Sequence, residues 1–190
     1  MRLRVVVVGI PGVGKTTVVE KLLLRLEGSK LVTFGTPMME EGVRRGWIKH
    51  RDEMRKLPVE KQKALQKSAA SAIAAMKARA VLVDTHLFIR TGEGFWPGLP
   101  FEVVRALKPT HLVLVEASPE EIAERRGSDK TRYRDSVAAA ALAEELALAR
   151  QFLAVASTLS GAPMMMVTNG KGKADEAADA IARAVEGGPK

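Results

Sequence analysis

Two kinds of hydrophobic run alternate along the chain. Leu3 to Val8 is short and valine-rich, with no polar alternation after Arg4, the pattern of a strand buried on both faces. After a glycine-rich turn, Val18, Val19, Leu22, Leu23 and Leu26 recur at helical spacing over Thr16–Leu26, until Gly28 stops the run. Leu31–Phe34, Val81–Val83, His111–Glu116 and Met164–Val167 read as four further short strands. Helices are expected over Thr36–Trp47, Val59–Arg79, Phe101–Leu107, from Ser118-Pro119-Glu120-Glu121 onward, over Ser136–Leu159 and over Ala174–Val185. Thr36 and Ser118 stand as N-caps, each followed by a proline suited to the first turn. The glycine- and proline-rich stretch Thr91–Pro100 reads as a loop. Five short buried strands separated by helices predict an α/β fold, a three-layer doubly wound sandwich around a five-stranded parallel sheet.

The turn after the first strand carries the chemistry. Gly9-Ile10-Pro11-Gly12-Val13-Gly14-Lys15-Thr16 matches G-x-x-x-x-G-K-[ST] at every fixed position, after a strand and opening a helix. Gly9, Gly12 and Gly14 allow a tight turn that points successive N–H groups at phosphate oxygens. The helix N-terminus adds partial positive charge. Lys15 would reach the β- and γ-phosphates and the Thr16 hydroxyl would ligate Mg²⁺, so the motif specifies a nucleoside triphosphate. It does not specify what receives the phosphate.

Asp84 ends the third strand in Val81-Leu82-Val83-Asp84, the position from which an acid holds Mg²⁺ through water; as an alternative it caps the next turn. His86 either touches substrate phosphate or satisfies a buried backbone group.

At 190 residues the chain fits one domain, and its composition (46% hydrophobic, 27% charged) is that of an ordinary globular protein. It has no cysteine, which removes disulfides, thiolate zinc sites and cysteine nucleophiles. No apolar run approaches the ~18 residues needed to span a bilayer, so a soluble cytoplasmic protein without a membrane partner is expected. The net charge of +8 is concentrated. Lys49–Lys67 has seven basic residues against three acidic, and Arg125–Asp135 five against two, together +7 of the +8. A nonspecific nucleic-acid binder would more often spread its charge along a face or tail. Two compact clusters suit two phosphate groups held in a cleft. The second cluster lies between two helices and is interrupted by glycine, so it is expected to act as a flap. Arginines there could stabilise a transferring phosphoryl group, an effect worth about 10³–10⁵ in rate in related chemistry.

These residues resemble the nucleoside monophosphate kinases, and among them the archaeal-type adenylate kinases. The resemblance spans nearly the whole chain. It is carried by Gly9–Thr17, Phe34-Gly35-Thr36, Arg51–Leu57, Val83-Asp84-Thr85-His86, Gly98-Leu99-Pro100 and the arginine-rich segment 125–135. It implies the Mg²⁺-dependent reaction ATP + AMP ⇌ 2 ADP on a P-loop kinase fold. The core would comprise 1–35, 80–124 and 136–190, with a helical AMP-binding insertion at about 36–79 and a short lid at about 125–135. Gly9 to Thr17 would bind ATP, together with Arg126 and with Asn169-Gly170 against the adenine. Thr36, Arg51, Arg55, His86 and Arg90 would face AMP. Lys15, Arg125, Arg132 and Arg134 would carry catalysis, with Thr16 and, through water, Asp84 on the metal. Members of this group are often trimers, which makes a homo-trimer an expectation here.

The alternatives are the same chemistry on UMP or CMP, and a nucleic-acid-associated P-loop ATPase. Aromatic residues total 4% and basic tails are absent, which speaks against a specific nucleic-acid partner.

Overall fold

The computed structural model describes residues 2–92, 94–128 and 139–187. Its main sheet has five parallel strands in the order β2-β3-β1-β6-β7. These are β1 (Leu3–Val8), β2 (Ser29–Thr33), β3 (Ala80–Asp84), β6 (His111–Glu116) and β7 (Met164–Thr168). β1 lies at the centre, and Val5 to Val8 are completely buried. That position explains the valine run: both faces of the strand are covered by helices, so no alternate residue faces water. The doubly wound parallel sheet is therefore as expected.

On one face α1 (Lys15–Arg25) packs against α7 (Ala174–Val185). Surface ion pairs reinforce the contact, Lys21 with Asp175 at 2.7 Å and Arg25 with Asp175 at 2.9 Å. Each exposed pair contributes at most about 1 kcal/mol, so the apolar stripe Val18, Val19 and Leu22 of α1 against Ala178 and Ile181 of α7 dominates. On the other side, α2 (Gly35–Arg44), α3 (Val59–Ala75), α4 (Phe101–Leu107) and α6 (Ala139–Ser160) pack in succession, with α5 (Pro119–Ser128) against α6. A short 3₁₀ turn, Arg51–Lys56, links α2 to α3.

Four local expectations change. The N-cap of α2 is Phe34, and Thr36 lies inside the first turn. Phe34 is buried and its N–H donates to the Asp84 carbonyl at 2.9 Å, so the strand passes directly into the helix and leaves no room for a separate capping residue. The helix expected to reach Arg79 ends at Ala75. Beyond it Arg79 exchanges backbone bonds with Gly28 and Leu3 (both 3.1 Å), and these tertiary partners override the helical propensity of Lys77 to Arg79. The expected loop Thr91–Pro100 contains half of an antiparallel hairpin, β4 (Phe88–Thr91) with β5 (Gly94–Pro97). In sequence, Gly92 and Glu93 stand between the two strands. Finally, Arg125 and Arg126 belong to the last turns of α5, a helix started by the Ser118 cap: the Glu121 N–H donates to Ser118 Oγ at 3.2 Å, and the Ser118 N–H to Glu121 Oε2 at 3.3 Å. Of the expected flap, Arg132 and Arg134 lie outside the described residues, as does the expected helix start at Ser136.

Candidate nucleotide site

The carboxyl ends of β1, β3 and β6 converge on one edge of the sheet, the usual place for a ligand in an open α/β fold. The phosphate loop leaves β1 there. Gly12 and Gly14 adopt φ of 94° and 78°, left-handed values that a larger residue would resist. A Cβ on Gly9 would come within 2.8 Å of the Val115 carbonyl oxygen, so the loop sits directly on β6. Ile10 and Val13 are buried and anchor the loop, whereas Thr16 and Thr17 are exposed in the first turn of α1.

Lys15 is drawn inward. Its ammonium contacts the Asp84 carboxylate and donates to the Thr85 carbonyl at 2.9 Å. Only 10% of its side chain is exposed, and burial lowers its pKa from 10.5 to about 8. The Asp84 carboxylate opposes that effect by favouring the charged form. At neutral pH the lysine carries its proton and is ready to exchange a carboxylate for phosphate. Asp84 reaches this place because Val7 pairs with it across β1 and β3.

Three side chains from the second half of the chain bind the loop's backbone. Asn169 is buried after β7, and its Nδ2 donates to the Val13 carbonyl at 2.8 Å. Arg125 donates to the same carbonyl at 3.1 Å and to the Asn169 carbonyl at 2.9 Å. Arg126 donates through Nε to the Pro11 carbonyl at 2.8 Å and pairs with Glu145 of α6 at 3.0 Å. The Asn169-Gly170 turn is tied to α5 as well, because the Lys171 N–H donates to Glu121 Oε1 at 2.6 Å. Accepting from the backbone N–H groups of Ser118 and Lys171 holds the Glu121 carboxyl below its ordinary range.

A cleft of about 200 Å³ opens beside the loop. Its lining includes Gly9, Ile10 and Pro11 of the loop, Arg55, His86 and Arg90, and Glu145 and Ala149 of α6. His86 is exposed there. Thr36 and Arg51 form a neighbouring group. A Cβ on Gly35 would lie 2.7 Å from the Arg51 guanidinium, so Arg51 covers the first turn of α2, where Thr36 is exposed. Among the described residues, no carboxylate pairs with Arg51, Arg55 or Arg90.

Sequence reasoning missed the Thr85 carbonyl, Glu121 as a tether of the Asn169 turn, and Glu145. Glu121 had a signal, its spacing from Ser118, which reveals the cap but not the second bond. Glu145 had none, since Glu144 and Glu145 are adjacent and the partner is 19 residues away.

Thr16 and Asp84 fit a magnesium ion. Both offer hard oxygen donors, Thr16 beside Lys15 in sequence and Asp84 in contact with its ammonium; Mg²⁺ commonly takes one or two protein oxygens and completes its shell with phosphate and water.

A parallel sheet of this order with a phosphate loop between β1 and α1 defines a P-loop kinase fold. In agreement, the solved structure of shikimate kinase from Bacteroides thetaiotaomicron superposes with a TM-score of 0.63 at 12% identity, covering 97% of this chain and 98% of that one. Shikimate kinase from Acinetobacter baumannii, in complex with shikimate, gives 0.57 at 19% identity, covering 98% and 94%. These likenesses concern the fold alone. A family model described as an AAA domain matches residues 8–143. The adenylate kinase of Thermoplasma acidophilum is 40% identical over 183 residues, covering 96% of this chain and 98% of the relative. That of Methanocaldococcus jannaschii is 44% identical over 170 residues, covering 87% and 88%. The chain belongs to the adenylate kinase family, built on a P-loop domain.

Proposed function

We propose that this protein catalyses ATP + AMP ⇌ 2 ADP in the cytoplasm, with magnesium on the ATP phosphates. The observation that carries the reading is that one cleft is lined both by the phosphate loop, at Gly9, Ile10 and Pro11, and by Arg55 and Arg90, which have no ion pairs to described residues. The loop that carries Lys15 and two exposed arginines thus border the same cleft.

The reaction needs no covalent enzyme intermediate. An oxygen of the AMP phosphate, already ionised at neutral pH, attacks the γ-phosphorus of ATP; the new P–O bond forms as the bond to the β-phosphate oxygen breaks. The loop N–H groups and α1 hold the β- and γ-phosphates. Lys15 leaves Asp84 and follows the transferring group with its charge. Arg55 and Arg90 hold the acceptor phosphate in line, which converts an encounter into an oriented reaction. His86 lies within reach of the same phosphate. Arg125 and Arg126 keep the loop carbonyls turned away from the phosphates. Thr16, and Asp84 through water, would hold the magnesium ion, which neutralises phosphate charge when bound.

A coupled assay with ATP and AMP, GMP, CMP or UMP tests the reading. AMP is expected to give the highest kcat/KM. A preference for UMP or CMP, or no transfer to any of the four, would overturn it.

A further inference from the structure

The hairpin β4–β5 that carries Arg90 pairs with no strand of the main sheet. Aromatic rings hold it instead. Phe152 of α6 packs on Phe88 with centroids 5.4 Å apart, and Phe88 meets Phe95 edge to face at 5.0 Å and 76°. Phe95 lies directly across from Arg90 in the hairpin, and the Arg90 guanidinium carbon sits 5.1 Å from the centre of its ring. A row of three rings thus runs from α6 to the one arginine of the hairpin.

The consequence is geometric. A long arginine side chain with no ion partner samples many rotamers, and binding an anion must first freeze them. Stacking on a ring limits that freedom at the face of the guanidinium. The in-plane N–H donors stay open, and these are what a phosphate needs for a forked contact. The rings therefore preorganise Arg90 without competing for its donors.

We infer that Phe95 is a positioning residue for the acceptor nucleotide, holding Arg90 at the cleft before the acceptor arrives. The inference rests on the reading of Arg90 as a contact to the acceptor phosphate. Phe95 is 38% exposed, so its replacement can be tested in a folded protein. In steady-state kinetics, Phe95→Leu is expected to raise the KM for AMP about two- to fivefold, the size of a partly exposed cation–π contact. The KM for ATP and the kcat at saturating AMP stay at parent values. Phe95→Tyr, which keeps the ring, keeps the parent KM. In an Arg90→Ala background, Phe95→Leu has no further effect, which a merely structural role would not produce. An unchanged KM in Phe95→Leu, an equal rise in Phe95→Tyr, or the same rise with and without Arg90 would each overturn the proposal. A parent protein that transfers no phosphate to AMP would instead remove the proposed function, and that is measured before any variant is made.

Discussion

The arginines packed against the phosphate loop and those lining the cleft beside it are held in opposite ways. Against the loop, Arg125 and Arg126 are committed: each donates to a loop carbonyl, and Arg126 also meets Glu145. In the cleft, Arg55 and Arg90 have no ion pair among the described residues and stand exposed. Helix α2 shows that this is not a property of the region, since Glu41 takes both Arg44 (2.7 Å) and Arg45 (2.6 Å). An arginine paired with a carboxylate adds to stability, whereas one with no such partner keeps its donors open to an anion. On the proposed reading, the difference separates residues that hold the loop from residues that would meet the acceptor.

The comparison breaks most visibly at Lys15, which belongs to both groups. It is tied to Asp84, and the proposed reaction has it exchange that carboxylate for phosphate. Lys15→Ala is expected to lower kcat by about a thousandfold or more, with the fold retained by circular dichroism. Near-parent turnover would remove Lys15 from the reaction.

Arg55→Ala and Arg90→Ala should separate affinity from stability. We expect the KM for AMP to rise roughly 10- to 100-fold, the scale of losing a charge-assisted contact to phosphate, with Tm within a degree or two of the parent. A large fall in Tm would mean that these arginines have structural partners.

Arg126→Ala should do the reverse. It leaves the Glu145 carboxylate, 16% exposed, without its partner and frees the Pro11 carbonyl. A loss of about 1–3 kcal/mol is expected, roughly 3–10 °C in Tm, with a modest rise in the KM for ATP and none for AMP. Calorimetry of the ligand-free protein checks the first part and initial rates the second.

The smallest effect concerns Glu41. Hydrogen bonds from Arg44 and then Arg45 lower its pKa from 4.5 to about 2. Because the folded value is depressed, its stabilisation is complete above about pH 4.5 and is lost as pH falls toward 2. Glu41→Gln should therefore melt below the parent at pH 6 and converge with it near pH 2. An equal difference at both pH values would show that the ion pairs are not its source.

Much of this was readable along the chain because the signals are local. The buried strand before Gly9, the spacing of its glycines and the Lys15-Thr16 pair follow from backbone sterics and helix polarity within a dozen residues. Val5 to Val8 announce a central strand because both faces lack polar residues. Phe101–Leu107 and Ala174–Val185 carry their helical period within their own length, and both helices have those bounds. What tertiary structure alone decided is long-range. The helix after Val59 stops at Ala75 because Gly28 and Leu3 offer Arg79 extended-chain partners, and neither lies near it in sequence. Phe88, Phe95 and Phe152 form a row only when α6 crosses the hairpin. Which arginines end up paired depends on carboxylates such as Glu145 that arrive from another helix. Local propensity sets where elements begin and what a phosphate loop is; the contacts between elements set which charges find a partner within the fold.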